Sequence, residues 1–138
     1  MPNKGTPSYL AARKGYRWGG HRFLQPTNLN FPTEERDLAY LAGLIDGEGC
    51  LYLPKNGNPL LAISNTNKVM IDWLGQIGGY VATVRRTNGQ SHWKPAWIWQ
   101  VHGQANLAAL LQRVLPYLKA KETEATAVLE RIWERQHA

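Results

Sequence analysis

The chain has 138 residues, room for one domain with or without a tail, and its 43% hydrophobic content excludes wholesale disorder. No apolar run reaches the ~18–20 residues that a membrane span needs, and a single cysteine, Cys50, excludes an intramolecular disulfide and a Cys-rich zinc site. Sixteen Lys and Arg against ten Asp and Glu give a net charge of +6, which favours an anionic partner such as nucleic acid.

The excess charge is concentrated at one end. Residues 1–33 carry Lys4, Arg13, Lys14, Arg17 and Arg22 and no acid, whereas residues 34–138 carry eleven basic and ten acidic side chains. Four Gly and four Pro in the same stretch discourage a regular element. The sequence therefore predicts a basic arm over 1–33 joined to a near-neutral domain over 34–138. The arm has no continuous apolar core of a secretory signal, and Gly15, Gly19, Gly20 and Pro26 interrupt the helix of a mitochondrial presequence. Tyr16, Trp18 and Phe23 alternate with Arg13, Lys14, Arg17 and Arg22, a mixture suited to stacking on bases and meeting phosphates. Nothing calls for an oxidising compartment, so the expected location is the cytoplasm or an organellar matrix rather than the outside.

In chain order, Thr33 is the expected cap of a helix over about 34–46, with Glu34 and Glu35 in its first turn and Leu38, Leu41, Ala42 and Ile45 at helical spacing. It should stop in Gly47-Glu48-Gly49. Short apolar runs at 50–53 and 60–64 flank the turn-rich Pro54–Pro59 and predict a hairpin. A second helix is expected from Asn67 to Ile77, closed by Gly78-Gly79. Strands follow over 80–86 and 93–102, with Pro95 marking a break or an edge. Trp93, Trp97, Trp99 and Val101 share one face of the last strand by period two, the face expected in the core. Leu107, Leu110, Leu111 and Val114 mark a third helix before Pro116, and residues 118–136 a fourth. The order is αββαββα plus a final helix: an α+β domain with a four-stranded antiparallel sheet and helices on one face.

The first helix has two peculiarities. Ala39, Ala42 and Gly43 are small and lie near one stripe, and a helical Gly costs ~1 kcal/mol against Ala, which suggests close approach of another backbone. Asp46 and Glu48 sit at the negative pole of the helix dipole, where acids are disfavoured. Either a divalent cation is held nearby, or Asp46 caps the Gly47–Gly49 amides while Glu48 is solvated.

Residues 41–49 read LAGLIDGEG, and the chain resembles the LAGLIDADG homing endonucleases: seven of nine letters match, with Gly47 and Glu48 as chemically sensible variants. The resemblance covers roughly 34–136, with Ile63–Asn67 similar to the family's second-strand end and Pro116–Lys121 to the segment before its last helix. It implies a saddle-shaped sheet and a motif helix packed against a two-fold mate through Ala39, Ala42 and Gly43. It also implies that Glu48 binds a catalytic divalent ion, Mg²⁺, with the Gly47 carbonyl as second ligand, and that Asp46 caps the helix end. Lys121 would assist charge stabilisation or water activation, and Asn65 would position water. Lys68 takes a nearby basic position where the family often has a larger Gln or Arg.

One motif cannot cut both strands, so the resemblance implies a homodimer on double-stranded DNA. The sheet would read the major groove through one face, for which the candidates are Tyr52, Lys55, Asn56, Asn58, Ser64 and Lys68 from the first half. Arg85, Arg86, Asn88, Gln90, Lys94, Gln100 and His102 are those from the second, with either Arg85 or Arg86 turned away. Leu51, Leu53, Leu61, Ile63, Val81, Trp97 and Trp99 are expected in the core. His92 and His102 lack the further ligands of a zinc site. Two other roles are compatible with the same scaffold: a DNA-binding regulator that no longer cuts, and a maturase that binds intron RNA.

Overall fold

Helical spacing of Leu38, Leu41, Ala42 and Ile45 produces α1, Glu35–Glu48, in the computed structural model, which describes residues 29–84 and 94–136. Its N-cap is Glu34, one residue later than the expected Thr33, and no side chain caps it. The helix also runs through Gly47 and Glu48 and is left at Gly49. Gly49 N–H donates to the Ile45 carbonyl, and a Cβ on Gly49 would lie 2.7 Å from that same oxygen. The final glycine of the motif is therefore required by proximity.

The chain turns directly into β1, Gly49–Tyr52, and returns through the 53–59 loop as β2, Leu60–Asn65. Asn67 then caps α2, Lys68–Ile77, by accepting the Met70 N–H at 3.1 Å. Gly78 and Gly79 both have positive φ, and a Cβ at Gly79 would meet the Gln100 carbonyl at 2.5 Å, so only glycine allows the turn to lie this close to the sheet. Strands β3, Tyr80–Thr83, and β4, Trp97–His102, complete an antiparallel sheet of order β1-β2-β4-β3. Both are shorter than expected. Strand pairing stops at Thr83 and Trp97; Val84 N–H still donates to the Ala96 carbonyl, but Pro95 has no N–H for a ladder. Residues 85–93 lie outside the described residues.

Helix α3, Gln104–Val114, passes through a 3-10 turn at Leu115–Tyr117 to α4, Glu122–Gln136. The last helix begins four residues later than its expected start at 118. Leu118 is extended, with φ -72° and ψ 141°, and the Asp46 carboxylate accepts the backbone N–H groups of Lys119 and Lys121 in the stretch that precedes the helix.

The helices cover one sheet face. Leu61, Ile63, Trp99 and Val101 supply its buried side, with Ile71 and Leu74 from α2, Leu110 and Leu111 from α3, and Leu129 and Ile132 from α4. Trp99 is fully buried and donates its indole N–H to the Gly78 carbonyl at 2.8 Å, so its one polar atom is satisfied. Val81, expected in the core, is 37% exposed because it sits on an edge strand. Among the described residues no helix is long and apolar enough to cross a membrane.

Residues 29–33, expected in the arm, pack on the domain instead. Leu29 and Phe31 touch the core, Asn30 N–H donates to the Ile77 carbonyl at 2.7 Å, and the Arg113 guanidinium lies 4.1 Å from the centre of the Phe31 ring. Burial lowers the Arg113 pKa from its ordinary value. The docked chain thus begins no later than Leu29.

Candidate active site

The C-terminal end of α1 accounts for its acids one at a time. A helix leaves its last four carbonyls without intrahelical partners. Here the Ile45 carbonyl is met by Gly49 N–H and the Asp46 carbonyl by the Lys121 ammonium at 3.0 Å. A lysine at this pole also suits the helix dipole. The Asp46 carboxylate turns the other way and accepts from the backbone N–H groups of Lys119 at 2.7 Å and Lys121 at 2.9 Å. Three hydrogen bonds thus join residue 46 to the segment ahead of α4. This corrects the expected role of Asp46: it does not cap its own helix, but fixes a segment more than seventy residues away and with it Lys121.

Glu48 is exposed and held differently. Asn65 Nδ2 donates to Glu48 Oε1 at 2.6 Å, while Asn65 Oδ1 accepts the Asn67 N–H at 2.8 Å. The second bond fixes which way the amide points, since a flipped Asn65 would face the N–H with its own donors. Four of the expected site residues, Asp46, Glu48, Asn65 and Lys121, are therefore brought to the end of α1 from three parts of the chain. Glu48 makes no ion pair among the described residues.

The donor set suits a hard divalent cation in one respect only. Among the described residues no group of three or more His, Cys, Asp or Glu is arranged for a metal. Mg²⁺, however, is usually bound through one or two carboxylates together with substrate phosphates. Glu48, with one oxygen on Asn65 and the other without a partner among the described residues, and the adjacent Gly47 carbonyl are oxygen donors of that kind, so the residues fit.

The small-residue stripe is only partly as expected. Ala42 is fully buried in the core of its own chain, which removes it from any intermolecular contact; one residue around a helix is about 100° and turns it inward. Ala39, Gly43 and Gly47 are exposed at four-residue spacing, and none of the described residues lies within 4 Å of a Cβ placed on Gly43 or Gly47. Tyr40, 48% exposed, stands beside them in edge-to-face contact with Trp73.

The sheet face away from the helices is built of rungs. Ser64, Ile98 and Ala82 form the rung nearest Asn65. Cys50, Ala62, Gln100 and Tyr80 form the next, and Tyr52, Leu60 and His102 the outermost. Of the expected contact residues, Tyr52, Ser64, Gln100 and His102 do lie on this face, and a His102 Nε2···Gln100 Oε1 hydrogen bond of 3.0 Å couples two of them. Lys55, Asn56 and Asn58 are exposed in the β1–β2 loop. Lys68 is off the face, on α2, paired with Asp72 at 2.9 Å and 5.6 Å from the centre of the Trp97 ring. Lys94 is exposed on the approach to β4 and has a partner of its own. Arg13, Lys14, Arg17, Arg22, Arg85, Arg86, Asn88 and Gln90 lie outside the described residues.

The sequence reading missed three things. Cys50 and Tyr80 belong to the open face, which period two from Tyr52 and Gln100 could have shown. Arg135, near the end of α4, donates to the carbonyls of Pro54 and Gly57 at 2.7 Å and of Lys55 at 2.9 Å, pinning the loop that carries Lys55, Asn56 and Asn58. No local signal announces that contact.

Several solved structures share this architecture. The homing endonuclease I-CvuI in complex with its target in the presence of Ca is similar at a TM-score of 0.52 and 24% identity, covering 70% of this chain and 66% of that one. A second I-CvuI complex gives 0.54 and 23%, covering 72% and 67%. The archaeal intron-encoded homing endonuclease I-Vdi141I complexed with DNA gives 0.54 and 13%, covering 75% and 71%. The chain spans about two thirds of the length of the I-CvuI chains. No family model and no curated protein matches the sequence. The fold of this chain is that of the LAGLIDADG homing endonucleases.

Proposed function

We propose that this chain, with a homing-endonuclease fold and the LAGLIDGEG sequence at its first helix, is a site-specific DNA endonuclease that acts as a homodimer. The observation that carries the proposal is the convergence of Glu48, Asn65, Asp46 and Lys121 at the end of the motif helix, beside an open sheet face. Neighbours of the same fold are solved on DNA, one of them in the presence of Mg and another of Ca.

Glu48 and the Gly47 carbonyl would hold a divalent cation, which when bound would polarise the scissile phosphate and lower the pKa of an attacking water. The chain's own groups set the stage for that chemistry. Asn65 fixes the Glu48 carboxylate through one oxygen and leaves the other for ligation. The Lys121 ammonium has three N–H groups and uses one on the Asp46 carbonyl, so the others can meet negative charge developing on phosphate. Asp46, by holding the amides on both sides of residue 120, keeps Lys121 in place.

The sequence carries one copy of the motif and the described residues form one such cluster, whereas a double-strand break needs two. Two copies related by a two-fold axis would bring their α1 helices together along the exposed Ala39, Gly43 and Gly47, and none of the described residues fills the space beside Gly43 and Gly47. Basic residues of the N-terminal arm would add phosphate contacts. The test is incubation with a pool of randomised duplex DNA and Mg²⁺, followed by sequencing of newly formed ends. A recurring, pseudo-palindromic cut site supports the proposal; duplex that is bound and never cut with Mg²⁺ or Mn²⁺ refutes the enzymatic part.

A further inference from the structure

We infer that the described part of the open sheet face selects a half-site dominated by A·T base pairs, with Gln100 as an adenine reader. The inference rests on the proposed DNA-binding role and adds to it the base composition that the face can recognise.

The three rungs carry Cys50, Ala62, Leu60, Ile98 and Ala82 as apolar or weakly polar groups, and Ser64, Gln100, His102 and two tyrosines as hydrogen-bonding ones. Among the described residues the rungs carry no Lys, Arg, Asp or Glu. That composition is selective in the major groove. Guanine is most often read by the paired donors of Arg or Lys on O6 and N7, and cytosine N4 by a carboxylate. Adenine is read by the amide of Asn or Gln on N6 and N7, and thymine by apolar contact with its methyl group. The rungs therefore hold the groups that A·T pairs call for and lack those most used for G·C. Ser64 serves either pair.

Gln100 is also the pre-positioned member. Its Oε1 lies 3.0 Å from His102 Nε2, which restrains the amide while leaving one lone pair and both N–H groups for a base edge. It stands in the middle rung, between Ala62 on β2 and Tyr80 on β3, so small or flat neighbours flank it. At ~3.4 Å per residue the rungs span about 14 Å, or about four base-pair steps where the strands follow the groove. Binding strength must then come largely from cations off the face, such as Lys55 in the loop.

The experiment is selection of bound sequences from randomised duplex DNA by the full chain, with EDTA present to prevent cutting. Three readouts follow: the enriched bases, the effect of deoxyuridine in place of thymine in the selected site, and the selection repeated with Gln100→Arg. The inference expects an A·T block in each half-site and about a fourfold loss of affinity for each contacted methyl removed. Gln100→Arg, checked for an unchanged melting temperature, should move one position per half-site from A·T towards G·C by roughly 5- to 150-fold. Selected duplex with G·C under the rungs, or full affinity for deoxyuridine sites, overturns the inference while leaving the DNA-binding role standing. Failure to select any duplex overturns that role and the inference with it.

Discussion

Replacing Asp46 with alanine should destabilise the fold far more than neutralising Glu48, although both are acids of one motif. The Asp46 carboxylate accepts two backbone N–H groups, at 2.7 and 2.9 Å, that lie before α4. A hydrogen bond to a charged group contributes ~1.5–3 kcal/mol when well buried. Lys119 is exposed and Lys121 only half-buried, so water would take over part of both, and the lower end is appropriate. The expected loss is about 2–3 kcal/mol. For a domain near 100 residues, with ~4 °C per kcal/mol, that is a fall in Tm of about 8–12 °C. Asp46→Asn keeps an acceptor oxygen and should fall between. Glu48→Gln should change stability by less than about 0.5 kcal/mol, because the side chain is exposed and the new amide oxygen can still accept from Asn65. Melting curves followed by circular dichroism at one protein concentration would show the ordering, since dimerisation makes Tm concentration-dependent. An Asp46→Ala variant that melts within about 2 °C of the parent would refute the anchoring role.

Three further outcomes follow from the same contacts. Among the described residues a Cβ on Gly43 meets nothing, so if the proposed dimer forms through this face, Gly43→Leu should sediment as a folded monomer and the parent as a dimer; a variant that still dimerises would place the interface elsewhere. Arg135→Gln removes most of a three-bond clamp, and amide hydrogen exchange in residues 53–59 should quicken while exchange in α2 stays unchanged. Deleting residues 1–28 removes five cations and should flatten the slope of log K for DNA against log salt by at most ~4–5 per chain, at ~0.9 per phosphate contact. Cutting on to residue 33 should in addition lower Tm, because Phe31 and Asn30 are docked on the domain.

What was legible in the sequence was whatever depends on near neighbours along the chain. Helical spacing from Leu38 to Ile45 placed α1, the glycine pair at 78–79 closed α2, and period two put Trp99 and Val101 in the core with Gln100 and His102 on the open side. The helix dipole marked Glu48, resemblance to a family gave it its role and supplied Asn65 and Lys121, and the fold brings Asn65 onto Glu48 and Lys121 onto the end of α1. The errors share one physical cause. Asp46 finds its partners at residues 119 and 121, and Arg135 finds its own at 54–57, and no pattern within a few residues encodes contacts at such separations. Ala42 was misplaced for a smaller reason: small residues at neighbouring positions look like one stripe, while the helix turns one inward and the next outward. The late start of α4 repeats the lesson: Leu118 is extended and residues 119 and 121 are tied to Asp46, a contact that no local pattern encodes.

The proposed endonuclease needs Glu48 for cleavage, not for folding or target binding. The most direct test compares parent and Glu48→Gln on one selected duplex, measuring binding by gel shift and cutting by the appearance of ends in Mg²⁺. The variant should bind within a few fold of the parent, melt at the same temperature and make no cut. A Glu48→Gln protein that cleaves at the parent's rate would contradict that role.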